Sequence, residues 1–140
     1  MKVLLAVDGS DHTKRMLAFV AAHDELFGST TEFTVVTVLT PMPARLAAFM
    51  SASSIEAYYS EAAEEVFGPI RKFAEQSRWN VSFHHSVGAA AAGIAEAARE
   101  GRHDLVVVGS HGHGALAGLV LGSVSTGVLA RCEMPVLIVP

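Results

Sequence analysis

The segment DLVVVGSHGHGALAGLVLGSVS, Asp104 to Ser125, carries most of what the chain declares about its fold. Leu105–Val108 is a short uninterrupted apolar run, the pattern of a strand covered on both faces. Gly109 and Gly112 follow at once and permit tight turns and close backbone approach. Gly122-Ser123 then stands where a further helix is expected to begin. Strand, glycine turn and helix start, in that order, belong to an α/β sandwich with the turn at the carboxyl end of the strand. His111 and His113 sit inside the turn. The residues alone leave three readings: a phosphate-holding loop, a metal site built on H-x-H, or a glycine-rich helix packed on a sheet.

The rest of the chain repeats the same alternation. Lys2–Val7, Phe33–Leu39 and Val136–Val139 are further apolar runs. Val81–Val87 differs: Val81, Phe83, His85 and Val87 alternate with Ser82, His84 and Ser86, as on an exposed edge strand. Between these runs lie helical patterns. Met16, Phe19, Val20, His23 and Leu26 recur at helical spacing, with Ser10 or Asp11 as cap and Gly28 as stop. A longer helix is predicted over 53–78, with a break or kink at Gly68-Pro69 because proline removes a donor. GAAAAGIAEAARE is an alanine-rich helix closed by Gly101, and a last helix should run from Gly122-Ser123 to just before Met134-Pro135. The order β-α-β-α-β-α-β-α-β predicts one α/β domain over 1–140, a doubly wound parallel sheet with helices on both faces. Thr40–Ala52, with Pro41 and Pro43, is the one long irregular connection, either a lid at the carboxyl edge or a solvated loop.

Composition narrows the function classes. The 140 residues carry a net charge of −4, 17% charged and 51% hydrophobic residues, which fits a folded domain and lacks the basic face of a general nucleic-acid binder. The single cysteine, Cys132, excludes an internal disulfide and suits a reducing, cytoplasmic setting. The apolar run Val3–Val7 is too short for a secretory signal, and Ala115–Ala130 falls short of a membrane span, so no membrane association is expected.

In a doubly wound sheet, ligands bind beyond the carboxyl ends of the strands. Asp8, Val38-Leu39 and Gly109 onward fall there. A helix start at Gly122-Ser123 offers free N–H groups and a positive dipole end, and Ser123 and Ser125 add hydroxyls, so phosphate can be held without a lysine. The pattern is not a Walker A loop, since no lysine follows Lys72. It is not the dinucleotide fingerprint either, since VDGSDH follows the first strand.

The spacing Gly109, two residues, Gly112, nine residues, Gly122, Ser123 resembles the G-x2-G-x9-G-[ST] signature of the ATP-binding branch of the universal stress protein family. VDGS after the first strand and the closing PVLIVP are similar to the same family, and the resemblance covers Lys2 to Pro140. It implies a five-stranded parallel sheet in the order 3-2-1-4-5. It also implies that Ala6 and Val7 line the base pocket, that Asp8 lies near ribose and adenine, and that Val38 meets adenine through its backbone. Gly109, Ser110, His111, Gly112, Gly122, Ser123, Val124 and Ser125 would surround the phosphates of ATP, expected to arrive with Mg²⁺. Many members of that family carry arginine in this loop, where this chain has His111 and His113. A histidine there is charged only below a pKa ordinarily near 6.5, so a pH-sensitive phosphate contact, a metal site and two solvated loop residues all stay open. The last strand is an edge in that order, and its apolar run Val136–Val139 implies a homodimer formed through it.

The resulting expectation is an ATP-binding stress-response regulator with at most slow hydrolysis. The alternative is a phosphohydrolase or adenylyl-transfer enzyme on a related sheet. The S-G-G-x-D-S loop of pyrophosphatase relatives is missing after the first strand, and a receiver domain would need an acceptor Asp where Ser86-Val87-Gly88 stands.

Overall fold

A computed structural model describes residues 1–113, 118 and 120–140. The Gly114 end of the glycine turn, and most of the apolar segment joining it to Gly122, lie outside the described residues. The chain runs β1 (Lys2–Ala6), α1 (Asp11–Ala22), β2 (Glu32–Leu39), α2 (Ala44–Ala47), α3 (Ala52–Gln76), β3 (Asn80–Val87), α4 (Ala90–Glu100), β4 (Leu105–Gly109), α5 (Ser123–Arg131) and β5 (Val136–Val139). The strands form one parallel sheet in the order β3-β2-β1-β4-β5. That is the doubly wound order expected.

The continuous apolar runs follow from two-sided burial. In β1, Val3 and Leu5 point to one core, where they meet Val35 and Val107 of neighbouring strands, Met16 and Val20 of α1, and Phe67 and Ile70 of α3. Leu4 points to the other core with Val36, Val106, Ile94 and Ala98 of α4, and Val128 of α5. Adjacent residues thus feed opposite cores, and both faces of a central strand are mainly apolar. At the edge, β3 has no such demand. Val81 and Phe83 pack on the first core, while Ser82, His84, His85 and Ser86 stay exposed.

Three local expectations need correction. First, α1 ends at Ala22 with His23 as its C-cap, not at Gly28. His23 stacks on Phe19 at 4.1 Å between ring centroids, and its Nδ1 lies 2.7 Å from the Phe19 carbonyl. Leu26 fits the helical spacing by coincidence, being 55% exposed in the following turn. Second, α3 passes unbroken through Pro69. Its buried stripe, Ala63, Phe67, Ile70 and Ala74, is continuous, and Pro69 and Glu65 lie on the exposed side, where water can serve the carbonyl left without its donor. Third, 40–52 is not wholly irregular, since it contains α2. It is anchored on α3: Met42 is buried and its N–H donates to Tyr59 Oη at 2.8 Å.

Among the described residues no helix is long and apolar enough to cross a membrane.

Candidate functional site

The carboxyl ends of β1, β2 and β4 open onto a cleft of about 520 Å³. Its position follows from the strand order. β1 and β4 are neighbours whose following helices cross to opposite faces, so their loops diverge and leave a gap. Of the twelve residues singled out from sequence, eleven line this cleft: Ala6, Val7, Asp8, Val38, Gly109, His111, Gly112, Gly122, Ser123, Val124 and Ser125.

The twelfth, Ser110, is buried and acts as a staple. Its N–H donates to the Val139 carbonyl at 2.9 Å, and its own carbonyl accepts Gly122 N–H at 2.7 Å. The Ser125 hydroxyl also donates to that carbonyl, at 2.8 Å, and leans toward the Gly122 carbonyl at 3.1 Å. The start of α5 is thereby fixed against the end of β4, fifteen residues away in sequence. Gly122 is needed for this approach. A Cβ there would lie 3.2 Å from the Ser110 carbonyl oxygen and 3.3 Å from His111 Cα. The Ser125 hydroxyl is therefore engaged inside the protein, whereas Ser123, the other serine expected to offer a hydroxyl, is exposed; both line the cleft.

The first turn of α5 has no side-chain cap, because its N-cap is Gly122. α4, capped by Ala89, is equally bare, and its Ala90 and Ile94 also line the cleft. In contrast Ser10 caps α1 by accepting Thr13 N–H at 3.4 Å, and Ser51 caps α3 by accepting Ser54 N–H at 3.1 Å. Two helix starts without side-chain caps among the described residues thus meet at one cleft, and they bring backbone N–H donors and positive dipole ends to it.

Asp8 lines the same cleft. Of the two caps expected for α1, Ser10 and Asp11, the cap is Ser10. Asp8 Oδ1 accepts Ser10 N–H and the Thr13 hydroxyl, each at 2.9 Å, and Oδ2 accepts His113 N–H at 3.0 Å. Burial pushes its pKa up, but the hydrogen bonds from Ser10, His113 and Thr13 outweigh it and hold the carboxyl below its ordinary value. Asp8 is thus an ionised acceptor at neutral pH.

The histidines divide by role. His113 lines the cleft, and its Nε2 lies 2.9 Å from the Asp8 carbonyl. His111 also lines it, with Nδ1 3.0 Å from Ser110 Oγ and its ring 5.4 Å from that of His12. Among the described residues no group of three or more His, Cys, Asp or Glu side chains is arranged to hold a metal ion. His103 is a core residue. It sits 2.9 Å from Thr34 Oγ1 and 3.3 Å from the Ala98 carbonyl, and burial lowers its pKa.

Sequence reading missed Thr13, Thr37, Thr40, Ala90 and Ile94 as lining residues, while His113, for which a phosphate contact was one of the open readings, lines the cleft as well. Ala90 and Ile94 stand one helical turn apart at the start of α4, a signal available once α4 is known to begin at the ligand edge. Thr13 lies one turn into α1 and had no signal of its own.

Comparison with known proteins agrees with this geometry. The model of the universal stress protein family matches residues 1–140. A Thermus aquaticus protein, the universal stress protein in the QAH/OAS sulfhydrylase 3' region, is 34% identical over 98% of this chain and 96% of its own length. A universal stress protein solved in complex with cAMP is 25% identical, with a TM-score of 0.69 over all of this chain and 97% of that one. The universal stress protein from Archaeoglobus fulgidus, solved in complex with dAMP, is 24% identical, with a TM-score of 0.65 over all of this chain and 98% of that one.

Proposed function

This chain belongs to the universal stress protein family, and we propose that its cleft binds ATP or a related adenine nucleotide. The observation that carries the reading is the start of α5, without a side-chain cap, stapled to the glycine turn after β4 and lining one cleft with Asp8. Phosphates would accept N–H groups from Ser123, Val124 and Ser125 and from the turn at Gly109–Gly112, with the helix dipole favouring the anion. Asp8 would accept from ribose hydroxyls. Ala6, Val7, Val38 and Ile94 would flank the base. The complexes of relatives with cAMP and dAMP support an adenine nucleotide as the ligand class.

Mg²⁺ fits this site only as a passenger. It demands near-octahedral oxygen ligation and keeps several waters, and the one carboxylate described in the cleft already accepts three hydrogen bonds. A nucleotide's phosphates would therefore supply its ligands, with little from the protein.

Hydrolysis, if any, would be slow. Asp8 already accepts three hydrogen bonds and is proposed for the ribose, which makes it a poor general base for a water, so turnover below about 1 s⁻¹, the low end for enzymes, is expected. Faster steady-state turnover would favour the phosphohydrolase or adenylyl-transfer alternative. The protein would act as a stress-response regulator in the cytoplasm, with nucleotide occupancy as its signal. Absorbance and mass of the small molecules released on denaturation check the binding claim. Recovery of an adenine nucleotide near one per chain is expected. A nucleotide-free protein that also takes up no ATP at about 1 mM, a weak affinity, would contradict it.

The same reading includes a homodimer through β5. Among the described residues β5 pairs only with β4, and it presents Val136, Leu137 and Ile138 half-buried along the sheet edge. A bare apolar edge is relieved by pairing with a second copy. Light scattering at micromolar concentration should give twice the 14.7 kDa chain mass; a monomeric mass would rule the dimer out.

A further inference from the structure

One contact in the cleft goes unused in the nucleotide reading. Asp8, just beyond β1, is tied at two points to the loop beyond β4. Its Oδ2 accepts the backbone N–H of His113 at 3.0 Å, and its carbonyl lies 2.9 Å from His113 Nε2. A carbonyl can only accept, so His113 carries a proton on Nε2 in either charge state. Gly112 makes the approach possible, since a Cβ there would collide with Asp8 Oδ2. On its other oxygen Asp8 is locked by Ser10 and Thr13, so the carboxylate cannot turn to follow the loop.

We propose that Asp8 is a positioning residue as well as a ribose acceptor: it latches the phosphate-side loop through the His113 backbone, so that one carboxylate couples the ribose end of the cleft to its phosphate end. Hydrogen bonds to an ionised acceptor are the stronger kind, and this one spans 105 residues of sequence. Without it, the turn that begins at Gly109 loses its tie to β1, and the donors meant for phosphate lose their registration.

Two arms test the latch, and only the second rests on the nucleotide reading. In the ligand-free protein, the His113 amide should exchange with solvent about ten-fold or more slowly than an open amide, although the residue itself is exposed. Asp8→Asn keeps an oxygen for Ser10 and Thr13 but sets an NH₂ donor against the His113 N–H, and Gly112→Ala forces the loop off Asp8. Both should remove the protection. Exchange at the open rate in the unmutated protein would overturn the latch without reference to any variant. In the second arm, both variants should lose about ten-fold more affinity for AMP than for adenosine, the span expected of one charge-assisted hydrogen bond. Equal losses for the two ligands would overturn the coupling. If the unmutated protein binds neither AMP nor adenosine, the nucleotide reading fails and the exchange arm alone decides the latch.

Discussion

Ser123→Asp is expected to abolish nucleotide binding while leaving the protein at least as stable as before. The two effects have opposite signs at one position because the same electrostatics governs both. Ser123 is the first residue of α5, exposed, on the cleft wall, behind an N-cap with no side chain. An aspartate there meets the positive end of the helix dipole, which contributes about 0.3–1 kcal/mol of stability. It also occupies the place proposed for a phosphate. Two unit charges about 4 Å apart repel by about 4 kcal/mol at an effective dielectric near 20. Screening and relaxation reduce this, and a loss of about a hundred-fold or more in affinity remains. Calorimetric titration and a thermal melt on the same sample read both effects. Binding within a few-fold of the unmutated protein would mean that no phosphate lies at the start of α5.

Leu5→Ala should cost about 3 kcal/mol of stability, the middle of the range for deleting a fully buried leucine side chain. Leu5 is 0% exposed in the central strand, in the core closed by α1 and α3. Its neighbours belong to four elements, so no single one can move in to fill the space. For a chain of this size the melting temperature should fall by about 10 °C. Leu5 does not line the cleft, so the loss should appear in denaturation and not in the chemistry of binding. A cost below about 1 kcal/mol would mean that the two-sided burial of β1 is wrong.

How far the structure was legible in the sequence depends on which force set each feature. The central strands were legible because burial on both faces makes them mainly apolar, and Val3, Leu4 and Leu5 read as one run for that reason. The edge strand was legible for the opposite reason, in the alternation of Val81 and Phe83 with serine and histidine. Helix ends were less so. The stop of α1 depends on His23 folding onto Phe19, a contact no periodicity encodes. The passage of α3 through Pro69 depends on which side of the helix faces water, known only once the sheet is in place.

The cleft shows the same division. Strand ends and spaced glycines announced Asp8, Gly109, Gly112 and Gly122, because backbone geometry restricts what those positions tolerate. Ser125 read as a ligand hydroxyl, yet its hydroxyl also ties α5 to the Ser110 carbonyl at the end of β4, since a serine's hydroxyl has no direction until the backbone around it is fixed. The tie between Asp8 and His113 joins residues 105 apart and left no trace in local pattern. His111 and His113, alike in sequence, face different partners: Ser110 and His12 for the first, Asp8 for the second.

The central claim is that this cleft takes an adenine nucleotide by its phosphates at the start of α5. Titration calorimetry on protein stripped of nucleotide, run in parallel with ATP, AMP and adenosine, tests it most directly. Saturable binding near one per chain, tighter for ATP and AMP than for adenosine and lost in Ser123→Asp, is the result expected. Absence of heat with all three ligands, or equal affinity for adenosine and its phosphorylated forms, would contradict it.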